Sequence, residues 1–246
     1  MYRLAELGFT QSYNYFAWRN SKDELEHYFT ELTQPPVADF FHPNLWPNTP
    51  DILTQFLQAG GRNAFAIRFI LAATLGASYG IYGPAFELCE NTPREPGSEE
   101  YFNSEKYEIK RWDLSAPQSL ENMIARVNQI RRENAALQSN RNLRFHRTDN
   151  RELIAYTKST DDGGNVVLTV VNLSPHHTHS GWLELPLKDF GLDAEKPYQM
   201  HDLLIGARYL WKGERNYIEL DPGKSSAHIF HLRRHVHTEY DFDYFT

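Results

Sequence analysis

The stretch "RNAFAIRFILAATLGASYGIYG", residues 62–83, decides the fold class. Its first part places Phe65, Phe69, Ala72 and Ala73 on one helical face, with further apolar residues beside them, so the spacing predicts a largely buried helix. Gly76 is its stop, and "SYGIYG" then reads as a short strand. A buried helix running into a strand is the signature of a βα unit, and the flanking sequence repeats it. "KDELEHYFTELT" (residues 22–33) sets Leu25, Tyr28, Phe29 and Leu32 on one face of a second helix. Ahead of it, "LGFTQSYNYFAW" (residues 7–18) alternates Phe9, Gln11, Tyr13 and Tyr15 with smaller residues, as a strand would. "FHPNLWPN" (residues 41–48) is a short extended run. "LENMIARVNQIRRENAALQ" (residues 120–138) carries Leu120, Ile124, Val127, Ile130 and Leu137 in helical register. Strand, helix, strand, helix, strand, helix predicts a parallel sheet of the βα type.

From about Asn142 the pattern changes. "ELIAYTKS", "NVVLTVVNLS", "SGWLELPL", "YQMHDLL", "ARYLWKG", "NYIELDPG" and "SAHIFHLRR" are short, β-branched and aromatic, separated by turns such as "DDGGN" and "DPGK". They predict an antiparallel β-sandwich. The expected class is therefore α/β plus all-β, divided into residues 1–141 and 142–246. Three βα units are too few for a closed (β/α)8 barrel. The tail "EYDFDYFT" is acidic and aromatic and fits neither pattern.

Composition narrows the function classes. The chain has 246 residues, 41% of them apolar and 14% aromatic, with a formal charge of −7. The charge has no basic blocks, which argues against a nucleic-acid partner. The single cysteine, Cys89, cannot form an internal disulfide. The opening "MYRLAELGFTQ" has no signal-peptide pattern, and no apolar run approaches the length needed to span a bilayer. A cytoplasmic protein is the expectation. The aromatic share suits a tightly packed β domain or a surface on which sugar rings stack.

"WPNTPDILTQFL" (residues 46–57) contains the first candidate site residue. Asp51 sits where an extended run gives way to helical spacing. It has two readings. Thr49 could cap a helix with Pro50 at its first position and Asp51 complementing the dipole, or the carboxylate could project from a strand's C-terminal end into a site. Lys106 and Tyr107 follow the acidic loop "GSEEYFNSE", so a surface ion pair competes with a sugar or phosphate contact. Asn48 would support a pocket or only fix the turn. Glu87 and Glu90 in "FELCEN" read as loop-structuring. His176, His177 and His179 cluster, as do His228, His231, His235 and His237, but no spacing matches a zinc motif. Trp182, Tyr198, Tyr209 and Trp211 have sandwich packing as their first reading and a glucan-stacking platform as their second.

Taken together, "GFTQSYNYFAWRN", "NTPDIL", "YGIYGPAFELCEN" and "GSEEYFNSEKYEIKRWDL" resemble the C-terminal part of the maltosyltransferases of glycoside hydrolase family 13, the α-amylase superfamily. The likeness continues through "VVNLSPHHTHSGWLELPL" and "HDLLIGARYLWKGERNYIELDP", so it covers almost the whole chain. It implies that the βα units are the last three of a (β/α)8 barrel. It also implies retaining transfer of maltosyl units from maltose 1-phosphate to the non-reducing ends of α-1,4-glucan, with no cofactor and no metal. By the resemblance Asp51 is the transition-state stabiliser, and Lys106 and Tyr107 are the donor-contacting pair. Many family 13 members carry histidine directly before this aspartate. Pro50 stands there instead, which agrees with the maltosyltransferase branch. The nucleophile and general acid have no equivalent motif in these residues, so the chain alone is expected to lack activity. A homodimer is the assembly considered for the parent enzyme. The alternatives are a non-catalytic α-glucan-binding protein and another superfamily enzyme such as a trehalose-forming isomerase.

Overall fold

The computed structural model describes residues 1–233; the tail "EYDFDYFT", His235 and His237 lie outside them. After a short helix α1 (Tyr2–Glu6), α2 (Lys22–Thr33) opens on a capping box. Ser21 Oγ accepts from the Glu24 backbone N–H and the Glu24 carboxylate accepts from that of Ser21, so two otherwise orphaned donors are satisfied reciprocally. The residues it buries are Leu25, Tyr28, Phe29 and Leu32, the face expected from their spacing. Helix α3 (Gln55–Leu75) starts from Thr54, and Gly61, at φ +57°, breaks its helical geometry. A glycine is needed where the chain turns left-handed. Beyond that break every residue from Ala64 to Leu75 is buried, which makes α3 the central helix. Gly60 is also constrained: a Cβ there would lie 2.4 Å from the Ala64 Cβ and 3.0 Å from the Pro175 side chain.

Three extended segments lie side by side and parallel. Ser12 bridges Pro43, and β1 (Asn44–Leu45) pairs with β2 (Ser78–Tyr79). Helix α2 separates the first two in sequence and α3 the last two. The strand expected over residues 7–18 is reduced to that one bridge, with a 3-10 turn at Phe16–Trp18. The cause is Asn14. Its Oδ1 accepts from the Phe16 N–H at 3.0 Å and its Nδ2 donates to Asn44 O at 2.8 Å, so the chain turns where a longer strand would continue. After α4 (Gly83–Glu87) and a long loop, α5 (Glu121–Glu133) packs against α3, burying Val127 and Ile130.

The remaining strands are β3 (Arg144–His146), β4 (Leu153–Ser159), β5 (Val166–Asn172), β6 (His179–Glu184), β7 (Tyr198–Asp202), β8 (Arg208–Trp211), β9 (Arg215–Leu220) and β10 (Ala227–Arg233). They form an antiparallel six-stranded sheet, β3-β4-β5-β10-β7-β8, and a second layer of β6 and β9. Alternate residues of the central strands enter different cores. Leu153, Ala155, Leu168, Val170 and Phe230 join the β6–β9 layer. Ile154, Tyr156, Val167, Val171 and Ile229 join the core around α3. Burial on both faces explains why these strands read as continuous apolar runs.

Polar bonds cross the same boundary. Tyr156 Oη lies 2.7 Å from Thr74 Oγ1, and Lys158 Nζ donates to Leu75 O at 3.2 Å. Lys158 is buried, and burial, reinforced by Arg131, pushes its pKa down from 10.5 to about 7. Below pH 7 the fold holds a charged amine that burial penalises. Between about 7 and 10.5 the folded state has released a proton that the unfolded chain keeps, so stability rises with pH there. Lys158→Met removes this dependence. Urea unfolding at pH 7 and pH 10 should show the native chain gaining on the variant by on the order of a few kcal/mol. Parallel pH profiles would contradict it.

Candidate active site

Asn48, fully buried, organises the ends of β1 and β2. Its Nδ2 donates to Tyr101 Oη at 2.7 Å, and its Oδ1 accepts from the Tyr82 N–H at 2.9 Å. One side chain thereby ties three segments: the turn after β1, the segment after β2 and the loop around residue 101. The rings of Tyr82 and Tyr101 meet edge to face at 5.6 Å, and burial pushes the Tyr101 hydroxyl pKa well up. Asn48 is a structural keystone here as well as a turn residue.

Directly beyond it, Thr49 and Ile52 exchange both backbone hydrogen bonds at 3.1 Å, closing a tight turn with Pro50 and Asp51 at its tip. The helix-starting reading of these residues is therefore corrected. Helix α3 instead begins at Gln55, with Thr54 rather than Thr49 preceding it, because the Thr49–Ile52 pair uses the backbone groups that a helix would need. The Thr49 hydroxyl does cap locally, accepting from the Asp51 N–H at 3.2 Å. The Asp51 side chain projects outward at 58% exposure.

Lys106 comes to it from the long loop. Its Nζ forms an ion pair with Asp51 Oδ1 and lies 3.5 Å from Glu100 Oε1, while Arg94 holds the other Glu100 oxygen at 2.7 Å. The bond to Asp51 is the main reason the Lys106 pKa is pushed up. The Lys106 ammonium sits 5.2 Å from the centre of the Tyr107 ring, a cation–π approach, and that ring is 71% exposed. Ser104 fixes the loop, accepting from the Tyr107 N–H through its carbonyl at 2.9 Å and reaching Pro50 O through its hydroxyl at 3.5 Å. Beside the pair lies an open depression of about 610 Å³, walled by Arg94, Glu100, Tyr101, Phe102 and Tyr107 but not by Asp51 or Lys106. Asp51, Lys106 and Tyr107 thus stand together: an exposed carboxylate, the cation paired with it and an exposed aromatic ring. The arrangement can bind a polyhydroxylated or phosphorylated ligand, because exposed ion pairs are worth little and open readily.

Two residues with clear bonding roles escaped the sequence reading. Trp18 donates from Nε1 to both Glu99 oxygens, at 2.9 and 3.1 Å. Arg68, buried in α3, donates to Arg19 O and Phe16 O at 2.6 and 2.5 Å and stacks 3.9 Å from the Phe16 ring. Burial brings its pKa down to about 9. A charged residue inside an otherwise apolar helical run was the available signal. Glu87 accepts from the Ser119 hydroxyl and Glu90 from the Thr92 N–H, so both hold loops. Among the described residues no group of three His, Cys, Asp or Glu side chains could hold a metal ion. No described helix is long and apolar enough to cross a membrane.

The family model described as "GLGE, C-terminal" matches residues 145–232. The α-1,4-glucan:maltose-1-phosphate maltosyltransferase of Methylacidiphilum infernorum is 52% identical over 94% of this chain. That of Chlorobaculum tepidum is 50% identical, again over 94%. The chain is similar to these maltosyltransferases along almost its whole length. It corresponds to a C-terminal portion, spanning about a third (35%) of the length of each of these maltosyltransferases. The maltosyltransferase likeness runs through the helical part and the sandwich alike, whereas the family model falls on the sandwich. An α-amylase from Geobacillus thermoleovorans, solved with acarbose, shares the fold at a TM-score of 0.67 and 13% identity, over 94% of this chain and 50% of that one. An Anoxybacillus α-amylase does so at 0.62, over 96% and 46%.

The keystone role of Asn48 has a measurable consequence. Asn48→Ala strands a buried hydroxyl and a backbone N–H and should destabilise the chain by about 2–4 kcal/mol. Tyr101→Phe should cost about 1 kcal/mol. In a double-mutant cycle by urea unfolding the two effects should be non-additive. Strict additivity would show that the bond does not couple the segments.

Proposed function

We propose that this chain is the part of a maltosyltransferase that steadies the transition state and holds the donor, in an enzyme that moves maltosyl units from maltose 1-phosphate to the non-reducing ends of α-1,4-glucan. The observation that carries the reading is the meeting of Asp51 and Lys106 at the turn after β1. Retaining transfer passes through an oxocarbenium-like transition state and a covalent glycosyl–enzyme. Asp51 accepts hydrogen bonds from sugar hydroxyls, and these tighten as the ring flattens. Interactions that strengthen only then raise the rate. Lys106, released from Asp51, donates to the phosphate or to a hydroxyl while the Tyr107 ring packs on the sugar. The nucleophile and general acid come from parts of the enzyme outside these residues, and no cofactor takes part.

The same reading assigns residues 1–141 to the last three βα units of a (β/α)8 barrel and residues 142–246 to a C-terminal sandwich domain. The parallel order of the segments at Ser12, β1 and β2, with a helix between each, supports it. So do the exposed side chains of Leu4, Leu7, Phe9, Tyr13 and Tyr15, a surface for the rest of the barrel to cover. A cytoplasmic enzyme, homodimeric and independent of nucleic acid and membrane, fits the lone cysteine and the net charge of −7.

In the complete enzyme Asp51→Asn should lower kcat with maltose 1-phosphate on the order of a thousandfold. Lys106→Ala should mainly raise the KM for that donor. Retention of a tenth or more of native kcat by Asp51→Asn would overturn the assignment. The 246-residue chain alone should release no phosphate from maltose 1-phosphate, and steady release would contradict the division of labour.

A further inference from the structure

We infer that the outer face of the β6–β9 layer, built around Trp182 and Tyr217, is a second docking platform for α-1,4-glucan, separate from the donor contacts. The layer is only two strands wide, and its residues alternate cleanly. Leu183, Ile218 and Leu220 point inward and complete the sandwich core. Trp182 and Tyr217 point outward, at 41% and 53% exposure, directly opposite each other in the strand register. Neither belongs to a core cluster, so packing does not require aromatics at either position.

The surroundings fix the strand at this point. The Trp182 backbone N–H donates to Asp149 Oδ1 at 2.7 Å, and the second Asp149 oxygen lies 3.5 Å from Arg215. The Arg215 guanidinium in turn sits 4.8 Å from the Trp182 ring centre. Arg215, paired with Asp149, and the Tyr217 ring both contact the indole and restrict its rotation before a ligand arrives, which lowers the entropic cost of binding. Its two rings are 5.5 Å apart and inclined at 68°, so together they form a bent surface rather than a flat one. An α-1,4-linked glucan coils, turning successive sugar faces relative to each other, whereas a β-1,4-linked glucan is flat and ribbon-like. The bend fits the first.

Charge around the rings is mixed rather than of one sign. The outward neighbours Glu184 and Glu219 bracket the rings, while Arg147 lies 4.0 Å from Glu184 and Arg215 packs on the indole, so no single-sign field favours a charged polymer over a neutral one. Those carboxylates and Arg215 supply acceptors and donors for sugar hydroxyls. An adjoining depression of about 410 Å³ shares Glu184 and Arg215, so a chain longer than the aromatic pair has a place to continue. The choice of α-glucan as occupant rests on the proposed function. A platform away from the donor contacts would hold a long acceptor near the enzyme and raise its effective concentration at the transfer site.

The test is native electrophoresis through gels containing glycogen, run on the 246-residue chain and on the complete enzyme. Comparison samples are Trp182→Ala/Tyr217→Ala, Trp182→Phe/Tyr217→Phe and Lys106→Ala/Tyr107→Ala, each checked for an unchanged melting temperature. The native protein should be retarded by glycogen and not by a soluble β-1,4-glucan. The double alanine variant should bind at least roughly tenfold more weakly, the phenylalanine pair should keep most of the retardation, and the Lys106/Tyr107 variant should keep it in the isolated chain. Equal retardation of native and Trp182/Tyr217 alanine proteins would overturn the inference. So would its absence in the native chain, its loss only in the Lys106/Tyr107 variant, or sedimentation showing that the aromatic pair instead joins two copies of the chain. An Asp51→Asn enzyme that kept its activity would refute the catalytic assignment while leaving this gel result intact, so the two failures can be told apart.

Discussion

The alternation of side chains along β4, β5 and β10 is the constraint on which the rest of the molecule depends. Each strand sends one residue toward α3 and the next toward the β6–β9 layer. The sheet is thus a shared wall, and neither core closes without it. A slip of one residue in register would exchange the two sets and ruin both. The polar bonds from Tyr156 to Thr74 and from Lys158 to Leu75 tie the same face of β4 to α3. The sandwich therefore acts as the foundation on which α3 is held, and α3 in turn carries the turn containing Asp51.

That chain of support explains how an exposed carboxylate can be positioned. Asp51 has few contacts of its own, but it stands on a turn closed by Thr49 and Ile52, next to an asparagine that is completely buried. Rigidity comes from Asn48, Tyr82 and Tyr101, and accessibility from the two residues that follow. Lys106 is the converse case, a long side chain whose loop is anchored through Ser104 while its ammonium bridges Asp51 and Glu100.

Much of this was legible in the sequence where local pattern and tertiary packing agree. Helix α2 buries the four residues its spacing selects, because its capping box and its apolar face specify the same element. The sandwich strands were legible for the same reason: turn chemistry bounded them on both sides. Residues 7–18 were not, because the alternation of Phe9, Tyr13 and Tyr15 mimics a strand while Asn14 bends the chain through side-chain bonds that hydropathy does not register. The helix-start alternative at Asp51 arose because Thr-Pro-Asp has the composition of both a turn and a helix start, and only the exchange with Ile52 distinguishes them. Of the site, the acidic and basic partners were found through family likeness. Arg68 had a local signal, a charge within an apolar helical run, whereas the bond from Trp18 to Glu99 spans a long sequence separation that no local pattern encodes.

The last turn of α3 has a consequence for biosynthesis. Its end is closed by two side chains from later in the chain: Arg131 donates to Ala73 O in the helix and to Gly76 O and Ala77 O just beyond it, and Lys158 donates to Leu75 O. As the polypeptide leaves the ribosome, this helix emerges long before either clasp exists. Its C-terminal end must wait, uncapped and hydrated, until the second clasp has been translated. Completion of the central helix is thus timed by the sandwich, and a nascent chain arrested before β4 would carry an unfinished hub.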